Sequence, residues 1–198
     1  MIRLETINFL FHENRHGAAV LPAGGNPSRE LGALMTRCGL ETNADPVRLA
    51  ALCGGVLAAD GCVLVFGGGS KDCVSLMDMN PPGVEKAKIL VIAADNSGGL
   101  FALDRTDEAQ ESRILYLDAH NLEWRIIGRY TRYNDFLWWL ANRSGDNYED
   151  LVYGHGRRLP RLSAQSSQSL QGISARARGK IEVWLNIWQQ HNGGEGGE

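Results

Sequence analysis

The sequence predicts an α+β fold: a six-stranded, mainly antiparallel sheet with packing helices and a C-terminal helical extension. Three observations support this prediction. The apolar runs Ile89–Ala94 and Leu100–Leu103 are separated by Asp-Asn-Ser-Gly-Gly, whose residues tolerate the backbone angles of a tight turn. Asp60-Gly61 lies between two other apolar runs, which is a strong hairpin signal. A segment with helical spacing of apolar residues follows the last predicted strand.

The middle of the chain contains six short apolar runs joined by turn-forming residues. They are Val56–Ala58, Cys62–Phe66, Ile89–Ala94, Leu100–Leu103, Arg113–Asp118 and Glu123–Gly128. Because the connections are short, consecutive strands are expected to pair antiparallel as a meander. A further short extended piece is predicted at Gly17–Pro22, and the stretch Asn80-Pro81-Pro82-Gly83 is predicted to be a turn-rich loop.

Three helices are predicted before the first hairpin. Met1–His12 has an amphipathic pattern, with Ile2, Ile7, Leu10 and Phe11 on one side, and Arg29–Cys38 follows Ser28 as a capping residue. The third helix is predicted to begin at Asp45, because a capping carboxylate followed by proline at the first helical position is a typical start.

The helix after the last strand carries two adjacent tryptophans. Phe136, Leu137, Leu140 and Ala141 form its apolar stripe, with Asn134 or Thr131 as the capping residue. Since neighbouring residues on a helix point in different directions, Trp138 and Trp139 cannot both face inward equally. One of them is expected to be partly exposed.

Composition divides the chain into a domain at residues 1–158, a polar linker at 159–179, and an amphipathic helix with a flexible tail at 180–198. The last helix has an apolar stripe of Ile181, Trp184, Leu185 and Trp188. Such a helix either docks on the body of its own chain or forms a homodimer or another protein contact.

The net charge of −3 is unevenly distributed. Residues 1–150 contain 14 Lys and Arg against 20 Asp and Glu, a net of −6, whereas residues 151–198 contain 6 against 3, a net of +3. The basic end could attract an acidic partner, but no RNA-binding or zinc-finger pattern accompanies it, so nucleic acid is not the expected partner.

The four cysteines, Cys38, Cys53, Cys62 and Cys73, do not form a Cys-x-x-Cys pair. Their spacing indicates neither a zinc site nor a redox motif. The N-terminus does not resemble a signal peptide, and no apolar run is long enough for a membrane span. The expectation is a cytoplasmic protein without contact to a membrane.

No catalytic constellation, cofactor site or metal site is predicted. Gly67-Gly68-Gly69-Ser70-Lys71 departs from the phosphate-loop pattern, since Ser precedes the lysine and no Ser or Thr follows it. Asp95, Asp104 and Asp118 end strands, where aspartate commonly accepts hydrogen bonds from turn amides. One alternative remains open: an enzyme with a site at the glycine-rich turns that uses Asp95 or Asp104 with His155.

An ordered series of short phrases resembles the bacterial domain-of-unknown-function family numbered two-six-two-five. The resemblance covers about Val20 to Tyr153. The phrases are Val20-Leu21-Pro22, Met35-Thr36-Arg37, Gly54-Gly55-Val56-Leu57 with Asp60-Gly61, Ile92-Ala93-Ala94-Asp95 with Gly98-Gly99-Leu100-Phe101-Ala102-Leu103, Ile114-Leu115-Tyr116, Leu122-Glu123-Trp124, and Tyr133-x-Asp135-Phe136-Leu137-x-Trp139. That family has no established activity, so the resemblance implies a fold but not a function.

The second half of the chain also resembles, more loosely, the SUKH superfamily of α+β domains. Many members of that superfamily are immunity proteins that bind and neutralise toxins, and the resemblance therefore implies a protein partner, with a toxin as the most concrete candidate. The residues predicted to contact it are aromatic and basic residues near the end of the domain: Trp124, Tyr130, Arg132, Tyr133 and Trp138. The other hypotheses are the enzyme described above and an oligomerising structural module.

Overall fold

A computed structural model describes residues 4–11, 18–24, 28–39, 44–70, 74–82, 89–104, 113–118, 124–126, 133–142, 157–158 and 172. Eight strands form one sheet in which neighbours along the chain are neighbours in space, and every pairing is antiparallel. They are β1 Ala19–Leu21, β2 Gly55–Ala58, β3 Val63–Phe66, β4 Ile89–Asp95, β5 Leu100–Asp104, β6 Ile114–Leu117, β7 Trp124–Ile126 and β8 Arg157–Arg158.

The predicted α+β fold with an antiparallel meander is confirmed. The six predicted strands are β2 to β7, and the sheet gains a short strand at each edge. β1 lies within the predicted extended piece Gly17–Pro22. β8 contains only two residues, which is too short for a hydrophobic pattern to reveal.

Five helices accompany the sheet in the described part of the chain. They are α1 Leu4–Phe11, α2 Ser28–Cys38, α3 Asp45–Leu52, α4 Leu76–Met79 and α5 Tyr133–Ala141. α1 lies against β1 and α5, α3 lies against α5, and α4 lies against β4. Four of the helices were predicted, and α4 was not.

Both faces of the central sheet are covered by protein. Every residue of β2, β3, β4 and β6 is buried. In a strand with only one buried face, apolar and polar residues alternate, whereas a strand buried on both faces is apolar throughout. The sequence of β4 up to its last residue, Ile-Leu-Val-Ile-Ala-Ala, follows the second pattern.

The turn between β2 and β3 has the left-handed backbone that its sequence predicts. Asp60 and Gly61 have φ angles of 53° and 80°, and the amide of Cys62 donates to the carbonyl of Ala59 at 2.9 Å. Asp-Gly suits positive φ at both positions, and Ala59 before them has a positive φ of 52° as well, which its residue type does not predict. The strand was predicted to begin at Cys62, but it begins at Val63 because Cys62 closes the turn.

The predicted capping role of Asp45 is wrong. The N-cap of α3 is Ala44, which makes no side-chain capping bond, and Asp45 is the first helical residue. The Asp45 carboxylate instead accepts a hydrogen bond from Asn134 Nδ2 at 2.8 Å. Asn134 likewise lies within α5 and links it to α3, rather than capping α5 as predicted.

The unpredicted short helix α4 ends directly before the predicted turn-rich stretch, and Asn80 is its C-cap. Ser75 and Asp78 form a reciprocal capping box at its start. At its end the Asn80 side chain is buried: Nδ2 donates to the carbonyls of Leu76 at 2.8 Å and Val91 at 2.7 Å, and Oδ1 accepts from the Val91 amide at 2.8 Å. β3 pairs with β4 only as far as Ala93, so the Asn80 amide continues the ladder where β3 has ended.

The predicted linker 159–179, apart from Gly172, and the predicted helix at 180–198 lie outside the described residues. The same is true of the capping candidate Thr131. In the described part of the chain, no helix combines the length and the apolar character that crossing a membrane requires.

Candidate functional site

α5 is held in place by its inner face. Phe136 packs on Phe101 of β5 with ring centroids 5.3 Å apart, and Phe101 packs in turn on Tyr116 of β6 at 5.0 Å. Tilted aromatic pairs of this kind stabilise beyond the area that they bury. The hydrogen bond from Asn134 to Asp45 adds a polar link to α3. The helix is therefore a fixed platform for its outer residues.

A buried polar cluster lies where α5 begins. The Tyr133 side chain is buried, and its hydroxyl has no hydrogen-bond partner within the described residues. Burial raises the pKa of Tyr133 well above its ordinary value, and the electrostatic influence of Cys53 and Asp45 acts in the same direction. Burial also raises the pKa of the Cys53 thiol to about 11, against a smaller lowering by a backbone hydrogen bond from Gly55. Both groups are therefore uncharged near neutral pH.

The outer faces of α1 and α5 expose aromatic side chains. On α1, Ile7 and Phe11 are buried, whereas Phe9 is 84% exposed. On α5, Trp139 is buried and Trp138 is 62% exposed, as the adjacency of the two tryptophans predicted. These are the large hydrophobic side chains that the described residues leave exposed, and they lie on two helices that contact each other.

Carboxylates accompany both exposed aromatics. Glu5 lies four residues before Phe9, and Asp135 lies three residues before Trp138. Residues at these spacings are neighbours on a helix surface, and both carboxylates are exposed. We call Glu5, Phe9, Asp135 and Trp138 the α1–α5 surface.

Asp95, one of the aspartates of the enzyme hypothesis, has a structural role. Asp95 is buried, and its Oδ1 accepts from the amides of Ser97 at 2.9 Å and Gly99 at 2.8 Å and from Ser97 Oγ at 2.6 Å. Its Oδ2 accepts from the Tyr116 hydroxyl at 2.6 Å. A Cβ at Gly99 would overlap that hydroxyl and lie 2.6 Å from Asp95 Oδ2. Asp95 thus organises the β4–β5 turn, as the position at a strand end predicted.

Backbone amides in the glycine run after β3 also make structural hydrogen bonds. The amide of Gly68 donates to the carbonyl of Cys53 at 2.8 Å, and the amide of Gly69 donates to the carbonyl of Gly54 at 2.9 Å. The carbonyl of Gly69 accepts from the amide of Gly24 at 2.9 Å. A phosphate loop needs its amides for the ligand, whereas these two amides complete the sheet. No group of metal-binding residues is found among the described positions.

The comparison with protein families gives one match. The family model described as "Protein of unknown function DUF2625" matches residues 11–171, which is most of the chain. The chain belongs to the DUF2625 family. A comparison with curated proteins and a comparison with solved structures gave no match.

The matched range of this DUF2625 member includes the Asp95 turn and all of α5, and it begins at Phe11. Trp138 and Asp135 therefore lie within the family region, whereas Glu5 and Phe9 precede it. The predicted family is confirmed, and its description assigns no activity.

The five residues predicted to contact a partner have different positions. Trp124 lies in β7, where its backbone pairs with Leu117. Tyr130 and Arg132 lie outside the described residues. Tyr133 is buried and offers little surface to a partner, and Trp138 is exposed. The contact role of the set stays a prediction.

Sequence reasoning did not single out Phe9 and Glu5. A signal for them was present, since the pattern of α1 placed Ile7 and Phe11 on one side, and Phe9 is on the other side of the same helix.

Proposed function

We propose that this chain is a non-enzymatic binding protein that contacts a protein partner through the α1–α5 surface. The observation that carries the proposal is the exposure of Phe9 and Trp138 on two helices in contact. Aromatic side chains are enriched among the residues that contribute most to binding at protein interfaces, and exposed apolar side chains grouped on one surface are typical of an interaction site.

The most concrete version of this proposal is an immunity-type protein that neutralises a toxin by forming a complex with it in the cytoplasm. The resemblance of the second half of the chain to the SUKH superfamily supports this version. The engagement of Asp95 supports binding over catalysis, because a carboxylate that accepts four hydrogen bonds is poorly placed to accept a substrate proton. His155, the other residue of the enzyme hypothesis, lies outside the described residues.

Co-expression with the products of adjacent genes tests the proposal. Each product is tagged and purified together with the wild-type chain, with Phe9→Ser/Trp138→Ser, or with Asp60→Asn as a matched surface control. Asn tolerates the positive φ of Asp60, and Asp60 lies in the β2–β3 turn. We expect one product to be toxic alone, to be tolerated with the wild type and with Asp60→Asn, and to lose both complex and tolerance with the double variant.

The proposal is wrong if no adjacent product binds the wild-type chain, or if the double variant folds and binds as well as the wild type. Thermal unfolding of the purified variants provides the check on folding.

A further inference from the structure

We draw no further inference here: the strongest candidate, the α1–α5 surface with its exposed Phe9 and Trp138, belongs to the site already described, and nothing in the described part of the chain shows what covers it.

Discussion

The β4–β5 turn around Asp95, called the Asp95 turn, and the α1–α5 surface differ in whether their side chains are buried or available to a partner. Asp95 and Ser97 of the turn and Tyr116 of the neighbouring strand β6 carry a carboxylate, a hydroxyl and a phenol, all groups that enzymes use, yet the carboxylate is buried and accepts hydrogen bonds from the other two. The α1–α5 surface contains phenylalanine and tryptophan, residues typical of a core, yet they are exposed. Position and hydrogen bonding, rather than residue type, thus indicate which of the two regions is available to a partner.

The largest expected change in the stability of the protein comes from substituting Asp95. Asp95→Ala leaves the Tyr116 hydroxyl and the Gly99 amide without their acceptor, and each unsatisfied buried group costs about 1 to 3 kcal/mol. We therefore expect the free energy of unfolding in urea to fall by about 3 kcal/mol or more. Asp95→Asn keeps an acceptor oxygen in place and is expected to lose clearly less. Equal losses for the two variants would contradict a structural role for these bonds.

A second prediction concerns Gly99, whose missing side chain makes room for the Tyr116 hydroxyl. Gly99→Ala forces the tyrosine or the turn to move, and we expect a loss of about 1 to 3 kcal/mol in the free energy of unfolding. Gly32→Ala is the matched control, because a Cβ at Gly32 in α2 has no atom within 4 Å. That change is expected to stabilise the protein by about 0.5 to 1 kcal/mol. A gain in stability for Gly99→Ala as well would show that the turn is not tightly packed.

The third prediction is a loss of stability at alkaline pH from the buried Cys53 thiol at the end of α3. Cys53 has its pKa raised from 9.0 to about 11 by burial. A raised pKa means that the stabilisation is complete below pH 9.0 and is lost as the pH rises towards about 11. The shift corresponds to about 2 to 3 kcal/mol. Unfolding measured across this range should show a smaller decline for Cys53→Ala than for the wild type, and identical declines would contradict burial of an uncharged thiol.

A smaller gain in stability is expected for Tyr133→Phe. The Tyr133 hydroxyl is buried without a partner in the described structure, so its removal relieves an unfavourable desolvation at little loss of contact. We expect the free energy of unfolding to rise by about 1 kcal/mol. A comparable fall would show that the hydroxyl has a bonding partner. This result would also bear on the predicted contact role of Tyr133, since a buried residue can change stability without changing binding.

The smallest effect on stability is expected at the α1–α5 surface itself. Phe9→Ser/Trp138→Ser changes exposed side chains, and exposed substitutions usually alter the free energy of unfolding by no more than about 0.5 kcal/mol. A loss as large as that of Asp95→Ala would show that the rings stabilise the fold, and the contrast between the two regions would fail.

Much of the sheet could be predicted from the sequence because its signals are local. The Asp-Gly turn and the Asp-Asn-Ser-Gly-Gly turn lie within the hairpins that they close. The short helix α4 has a weak local signal, because its four residues are too few for a periodic pattern and only the pair Ser75 and Asp78 indicates its start. The role of Asn80 depends on the edge of β4, which no local pattern around Asn80 contains.

The candidate site was predictable only in part. The exposure of Trp138 follows from the rotation between neighbouring helical residues. The burial of Tyr133 depends on contacts with α3, far away in the sequence, and so does the bond between Asp45 and Asn134. Phe9 and Trp138 lie on neighbouring helices because α1 contacts α5, which is far from it in the sequence. No spacing of residues in the sequence predicts this tertiary contact.

The most direct test of the central claim compares the two regions in one binding experiment. The dissociation constant for the adjacent-gene product that binds the wild type is measured for Trp138→Ser and for Asp95→Asn, both confirmed to be folded. The account predicts that Trp138→Ser raises the dissociation constant by about tenfold or more, while Asp95→Asn leaves it unchanged. Unchanged binding by Trp138→Ser together with loss of binding by Asp95→Asn would contradict it.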